Sequence, residues 1–374
     1  MKKGLLLLLL TALLTGLTGC IGYQLENRVL AVCMALDLTE DEENRIMLSI
    51  QISNAAGEAG GENEKGYSII SAKGKDWFDV LGMMRGVSTH ILNFTQLRAI
   101  IVSEELSRDE LFFQLLKDIY QMPQMRSNAH VLVAMGGGID FLRSSKPDIG
   151  VSLSKYVDIV ISNTINKGLA PHSTIGELVR DMGEAPMVML GAVAGEKSTQ
   201  ALPARNPHDL LPNGLTSEAS GAIRLIGAAA TDGKAVVGLL TGYEVQLLTL
   251  LWGHTEEILC HTENGSVIVK SKQKTRLAIR FGSPDVLVVK VFLYGFVSPE
   301  KLIYADEAAA VIERDLRQLI EKLQSLQIDA AHFKRIAIKG FDTIERFERY
   351  NWLNHYINAD IEIEAEVVPM ASII

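Results

Sequence analysis

Cysteine is scarce in this chain: 374 residues hold three, Cys20, Cys33 and Cys260. Cys33 and Cys260 stand far apart in apolar stretches, which favours two buried thiols over a disulfide. Positive charge is in deficit, with 36 Lys and Arg against 45 Asp and Glu and a formal net charge of −9. An acidic body suits neither nucleic acid nor direct adhesion to anionic lipid. Aromatic residues are only 6%, few for a solute-binding protein whose cleft grips a ligand, and the order of elements shows no paired lobes. No apolar stretch after the first twenty residues is fit to cross a bilayer, whose core of about 30 Å needs roughly 20 apolar residues. The most apolar ones, near 188–194 and 236–252, are short or broken by Gly and charge. No internal repeat is present.

Catalytic patterns are missing as well. No Ser sits in Gly-x-Ser-x-Gly, and no Cys has a suggestive His nearby. Gly136-Gly137-Gly138 follows a strand and could cradle a phosphate at a helix start. It lacks the Lys-Ser/Thr of a P-loop and the spacing of a dinucleotide fingerprint, so a turn needing positive φ is the preferred reading. His254, Glu256, Cys260 and His261 collect metal-ligand types in one stretch. On a strand His261 would face away from the other three, and no zinc spacing is matched. Neither an enzyme nor a metal site is expected.

What is present begins at the N-terminus. Lys2 and Lys3 precede an apolar run, Leu5 to Leu14, and then Leu17-Thr18-Gly19-Cys20. The charged start stays cytoplasmic and the apolar run enters the translocation machinery. Small residues at Thr18 and Gly19 admit a peptidase, and the Cys20 thiol takes the lipid. This is a bacterial lipoprotein signal over residues 1–19. The mature chain is expected to begin at Cys20, carry covalent diacylglycerol and acyl chains and no other cofactor, and lie outside the cytoplasmic membrane. Its basic residues then number 34 against 45 acidic, a net charge near −11.

Along the body, 28–37 and 45–53 read as strands, 55–66 as an exposed loop, and 76–92 as an amphipathic helix. A strand at 97–102 leads to a helix burying Leu111, Leu115, Leu116 and Ile119, with Ser107 and Glu110 as its capping box. A further strand, 131–135, precedes helices at 152–167 and 174–182 and a strand at 187–194. Three prolines and Asn213-Gly214 make 196–218 a linker, or a long excursion at the edge of a domain. Strands at 221–226 and 235–240, a helix at 243–252 and four strands between 257 and 294 follow. A long helix over 299–328, a strand at 334–339, a short helix at 342–349 and a strand from Ala359 close the chain. In that last strand acidic and apolar residues alternate, so one face is buried. The class is α+β: an N-terminal mixed α/β region, 20–195, and a C-terminal domain, 219–374.

Several of these segments together resemble the C subunit of bacterial spore germinant receptors, the GerC-type lipoproteins. Cys20 is followed by Glu26 and a strand ending Ala35-Leu36-Asp37, where the family has Gly-x-Asp; the family's Trp-Asp pair after the Cys is absent. Phe94-Thr-Gln96-Leu-Arg-Ala-Ile-Ile-Val-Ser-Glu104-Glu105-Leu106 is similar to a second motif, with Gln96 where His is common. Gly221 to Leu240, the run Gln324…Asp329…Phe333, and Trp352 fit in order. The resemblance implies a non-enzymatic subunit, lipid-anchored on the outer face of the inner spore membrane. It also implies assembly with integral membrane A-type and B-type subunits in a complex that answers nutrients. It singles out Glu26, Asp37, Gln96, Glu104 and Asp329 as structural or partner-binding positions.

Overall fold

Strand β1 (Arg28–Leu38) is buried from Ala31 to Asp37 without a break, as expected of a strand covered on both faces. The computed structural model describes Gly4 and residues 28–53, 67–87, 91–144, 152–193, 223–253, 257–297 and 304–371. Leu17, Thr18, Gly19, Cys20, Glu26 and the 196–218 segment lie outside the described residues.

Around β1 the first sheet assembles in the order β3-β2-β1-β5-β6-β7-β8-β9, with β4 beside the start of β1. Its strands are β2 (Ile46–Ser53), β3 (Tyr67–Gly74), β4 (Ile91–Asn93), β5 (Ala99–Ser103), β6 (His130–Ala134), β7 (Met187–Val193), β8 (Ile223–Thr231) and β9 (Val236–Leu240). The centre, β1-β5-β6-β7, is parallel. Antiparallel hairpins close both sides, β2 and β3 at one and β8 and β9 at the other. Parallel neighbours need crossovers, and helices supply them. One face packs under α1 (Trp77–Val87), α3 (Leu111–Tyr120) and α6 (Ile175–Arg180); the other packs under α4 (Gly138–Ser144) and α5 (Leu153–Asn166). Cys33 is a buried free thiol of the second face.

Strands β7 and β8 flank the 196–218 segment and pair with each other. The first sheet therefore runs on to Leu240, and the first two strands expected of the C-terminal domain belong to it. The 196–218 segment connects two neighbouring strands of one sheet.

The second sheet holds β10 (Ile258–Thr262), β11 (Gly265–Ser271), β12 (Arg276–Arg280), β13 (Val286–Val297) and β14 (Asp360–Ala371). β14 pairs in parallel along the whole of β13. Both β11 and β12 also pair with β13, with its far and near halves respectively. A strand has two edges, so β11 and β12 lie in tandem on the other one. The crossover from β13 to β14 contains α8 (Tyr304–Ser325), whose stripe Ala308, Ile312, Leu316, Leu319, Ile320 and Leu323 is buried as its spacing predicts. Cys260 turns inward and its thiol reaches the Ala308 carbonyl at 3.7 Å, while His261 turns outward to Ser266.

Between the sheets lies α7 (Gly242–Trp252), apolar on nearly every side. Thr241 and Glu244 form its capping box, and Gly253 ends it at φ +80°. Its core also includes Met187, Ala228 and Ala230 of the first sheet.

Three local expectations are corrected. Ser107 does not cap α3: it ends α2 (Glu104–Ser107), and its hydroxyl donates to the Glu104 carbonyl at 2.7 Å. Asp109 takes the N–H of Leu111 instead. The helix expected to reach residue 92 ends at Val87, and Ile91 opens β4. The strand expected at 334–339 is a helical turn, α9 (Lys334–Ala337), running into a 3₁₀ turn. Asp329 causes this by taking the first N–H groups of that turn.

Candidate functional site

Three places gather polar side chains. The first is at the carboxyl ends of the parallel strands, where open α/β sheets commonly bind ligands. Leu36 pairs with Val102, so Asp37 and Glu104 leave adjacent strands side by side. The Gly136-Gly137-Gly138 turn follows the neighbouring strand. Its N–H groups face an anion, and the anion is Asp37: the carboxylate accepts from Gly138 at 2.5 Å and Ile139 at 3.0 Å. Gly136 sits at φ +136°. A Cβ on Gly138 would lie 3.0 Å from Ala35 and 3.2 Å from Asp37. The cradle is thus filled by the chain itself. Burial pushes the Asp37 carboxyl up; the two N–H donors oppose this, and Asp140 and Glu105 add to it. Glu104 is buried and meets Arg108 at 3.4 Å. Gln96 is exposed in the turn after β4, at the opposite end of the sheet.

The second place is a cleft of about 350 Å³ where the two sheets' units meet. The first unit contributes Glu184, Ala185 and Asp232; the second contributes residues 327–335 and 347–353 in part, among them α10 (Ile344–Tyr350) and α11 (Trp352–Ile357). Asp329 organises this wall. Its carboxylate accepts from the N–H groups of Phe333 at 3.0 Å and Lys334 at 2.5 Å, and from Trp352 Nε1 at 2.9 Å. Burial pushes its carboxyl up against the pull of these donors. Gln324 donates to the carbonyls of Tyr356 and Ala359, and Phe333 is fully buried near Tyr356. Gln324, Asp329, Phe333 and Trp352 therefore form one brace from α8 through α9 to α11.

Across the cleft Arg335 grips Glu184 Oε2 through Nη2 at 2.7 Å and Nε at 3.1 Å. His332 stacks on Trp252, with centroids 5.6 Å apart. Burial, then Arg335, pull the His332 imidazole down. Among the described residues the non-glycine positions with positive φ are Ala185 (50°), Gln327 (58°), His332 (64°) and Asn351 (51°), and all four line this cleft. Such conformations cost of order 1–3 kcal/mol each and persist where the surroundings impose them.

Sequence reasoning missed a third polar group. Asp285 is buried and accepts from Gly282 N–H at 2.8 Å, from the Tyr350 hydroxyl, and from His355 Nδ1 at 3.1 Å. Burial and Asp285 push the Tyr350 hydroxyl up. Tyr350 stacks on His355 and packs with Phe281 and Phe341. No local pattern announces this, since the partners lie 65 and 70 residues from Asp285.

The fold is a pair of braced α/β units whose polar groups mostly hold the chain's own backbone. Residues 23–193 match the family described as "Spore germination protein N-terminal domain". Residues 226–368 match the one described as "Spore germination B3/ GerAC like, C-terminal". The chain belongs to the Ger(x)C spore germination family. Its fold is similar to that in the crystal structure of the GerBC protein: TM-score 0.54 at 16% identity, over 90% of this chain and 96% of that one. No curated protein matches the chain.

Proposed function

We infer that this protein is the lipid-anchored, non-enzymatic C subunit of a nutrient germinant receptor. Cys20 carries the diacylglycerol and holds the body on the outer face of the inner spore membrane. The body assembles there with the integral membrane A-type and B-type subunits. The observation that carries this reading is the coincidence of two independent features in one chain. A lipobox ends at Cys20, and both spore-germination family matches follow it in order. Among the described residues no helix is long and apolar enough to cross a membrane, so attachment through the lipid is the economical route.

The polar constellations support a scaffold role. The Gly136–Gly138 cradle is filled by Asp37, and Asp329 and Asp285 each hold donors of the same chain. The test of the anchor is Cys20→Ala. The variant is expected in the soluble fraction, without lipid label and without support for germination. A variant that remains fully membrane-bound and lipid-labelled would sink the anchor.

A further inference from the structure

The first unit is electrically lopsided along its strands. β3 runs parallel to β1, and α1 carries the chain from the end of β3 back to β4 and the start of β5. Likewise α3 carries it from the end of β5 to the start of β6. The C-terminal ends of both helices therefore share one end of the unit with the starts of the parallel strands. At that end Leu30, Met83, Ile91 and Tyr120 are each 41% to 57% exposed. Arg28 pairs with Ile91 and Leu30 with Asn93, so Leu30 and Ile91 open onto the same face of that strand pair.

Two of the segments that build this end lack acid. Between Val80 and Ser103, and again between Ile119 and Ile139, there is no Asp or Glu, while Arg85, Arg98 and Arg126 occur there. The carboxylates around this end are engaged: Asp118 with Gln114, Asp158 with Arg98, Glu177 with His172, Asp181 with Arg180, and Glu184 with Arg335 of the second unit. The opposite end carries Asp37, the run Glu40-Asp-Glu-Glu, Glu104, Glu105 and Asp109. The net charge of the whole chain hides this separation.

The chain enters this acid-poor end at Arg28, two residues after Glu26 and eight after Cys20. Eight residues span at most about 29 Å. We propose that this end, centred on Leu30 and Ile91, rests on the anionic lipid surface, with the acidic end of the sheet pointing away. Apolar side chains enter the interface while basic ones meet lipid phosphates, and neither contribution suffices without the tether. The inference rests on the lipid anchor proposed above and adds an orientation to it.

The test uses the lipidated protein in phosphatidylcholine vesicles containing phosphatidylglycerol. An environment-sensitive dye is attached after Ile91→Cys, with exposed Glu42→Cys as the control at the acidic end. Cys33 and Cys260 stay silent because both are buried. The dye at position 91 is expected to shift to the blue on reconstitution and to be quenched by doxyl lipids several-fold more than at position 42. Equally wet dyes, with lipid on Cys20 verified by mass, overturn the inference and leave the anchor standing. A Cys20 found without lipid removes the anchor and this inference with it. A dye at position 91 that is wet in lipid alone, yet dries when integral membrane partners are added, assigns the face to protein and overturns the proposal.

Discussion

Asp329 holds three N–H donors, and truncating it strands them. A buried donor left without a partner costs about 1–3 kcal/mol. Asp329→Ala is expected to lower the unfolding free energy by about 2–3 kcal/mol, read as a lower urea midpoint. An unchanged midpoint would contradict the bracing role. His130 offers a pH test. Burial, with His172 next, pulls its imidazole down to about 4, partly opposed by Glu177. An unfolded His titrates near 6.5, so the unfolded chain takes the proton first. The stability held above pH 6.5 is then lost as the pH falls toward 4. Buried Asp37 and Asp329, with raised carboxyls, act in the opposite sense. The difference between the chain and His130→Gln isolates the histidine. The gap in stability should narrow in the variant's favour between pH 6.5 and 4, and parallel curves would refute it. At this scale the sequence had limited reach. Asp37 and Asp329 were singled out by family resemblance, whereas Asp285 was invisible because its partners meet it only in the folded chain.

Among the elements, β14 shows how a long edge strand is kept from pairing with a neighbour. Its Ala365 N–H donates to Glu313 at 2.8 Å, and its Ile361 carbonyl accepts from Arg317 at 2.7 Å. Glu313 and Arg317 sit one helical turn apart on α8. Pro369, in phase with Ala365, has no N–H to offer that edge. Removing both side chains, Glu313→Ala with Arg317→Ala, is expected to produce concentration-dependent self-association in size-exclusion chromatography. A double variant monomeric at every concentration would show that the twist of the sheet alone protects the edge. Elements with strong periodicity, such as α8 and β14, were legible from the alternation of apolar residues. The weak ones were not. β3 is a half-buried edge strand, Tyr-Ser-Ile-Ile-Ser-Ala-Lys-Gly, without clean alternation. The turn at 334–337 opens an apolar run, Ile336-Ala-Ile338, that reads as a strand, and a carboxylate five residues before Lys334 decided otherwise. The short α11 follows α10 after the single left-handed residue Asn351, a break that no local pattern marked.

For the whole molecule, the change of composition at 196–218 was legible, but its meaning was not. The strands on either side pair across it, because antiparallel β8 finds its neighbour in β7 whatever the length of the connection. Loop length costs little, only about 0.6 kcal/mol for each doubling. The proposed lipid anchor, joined to the acid-poor end of the first unit, is a proposal of a body held at a membrane with its remaining surfaces open to partner subunits. The most direct test is crosslinked purification of this protein from solubilised inner membranes of spores, with partners identified by mass. Recovery of two integral membrane proteins of germinant-receptor type is the predicted result. Recovery of a transporter permease and its ATPase, or of no integral membrane partner, would contradict the account.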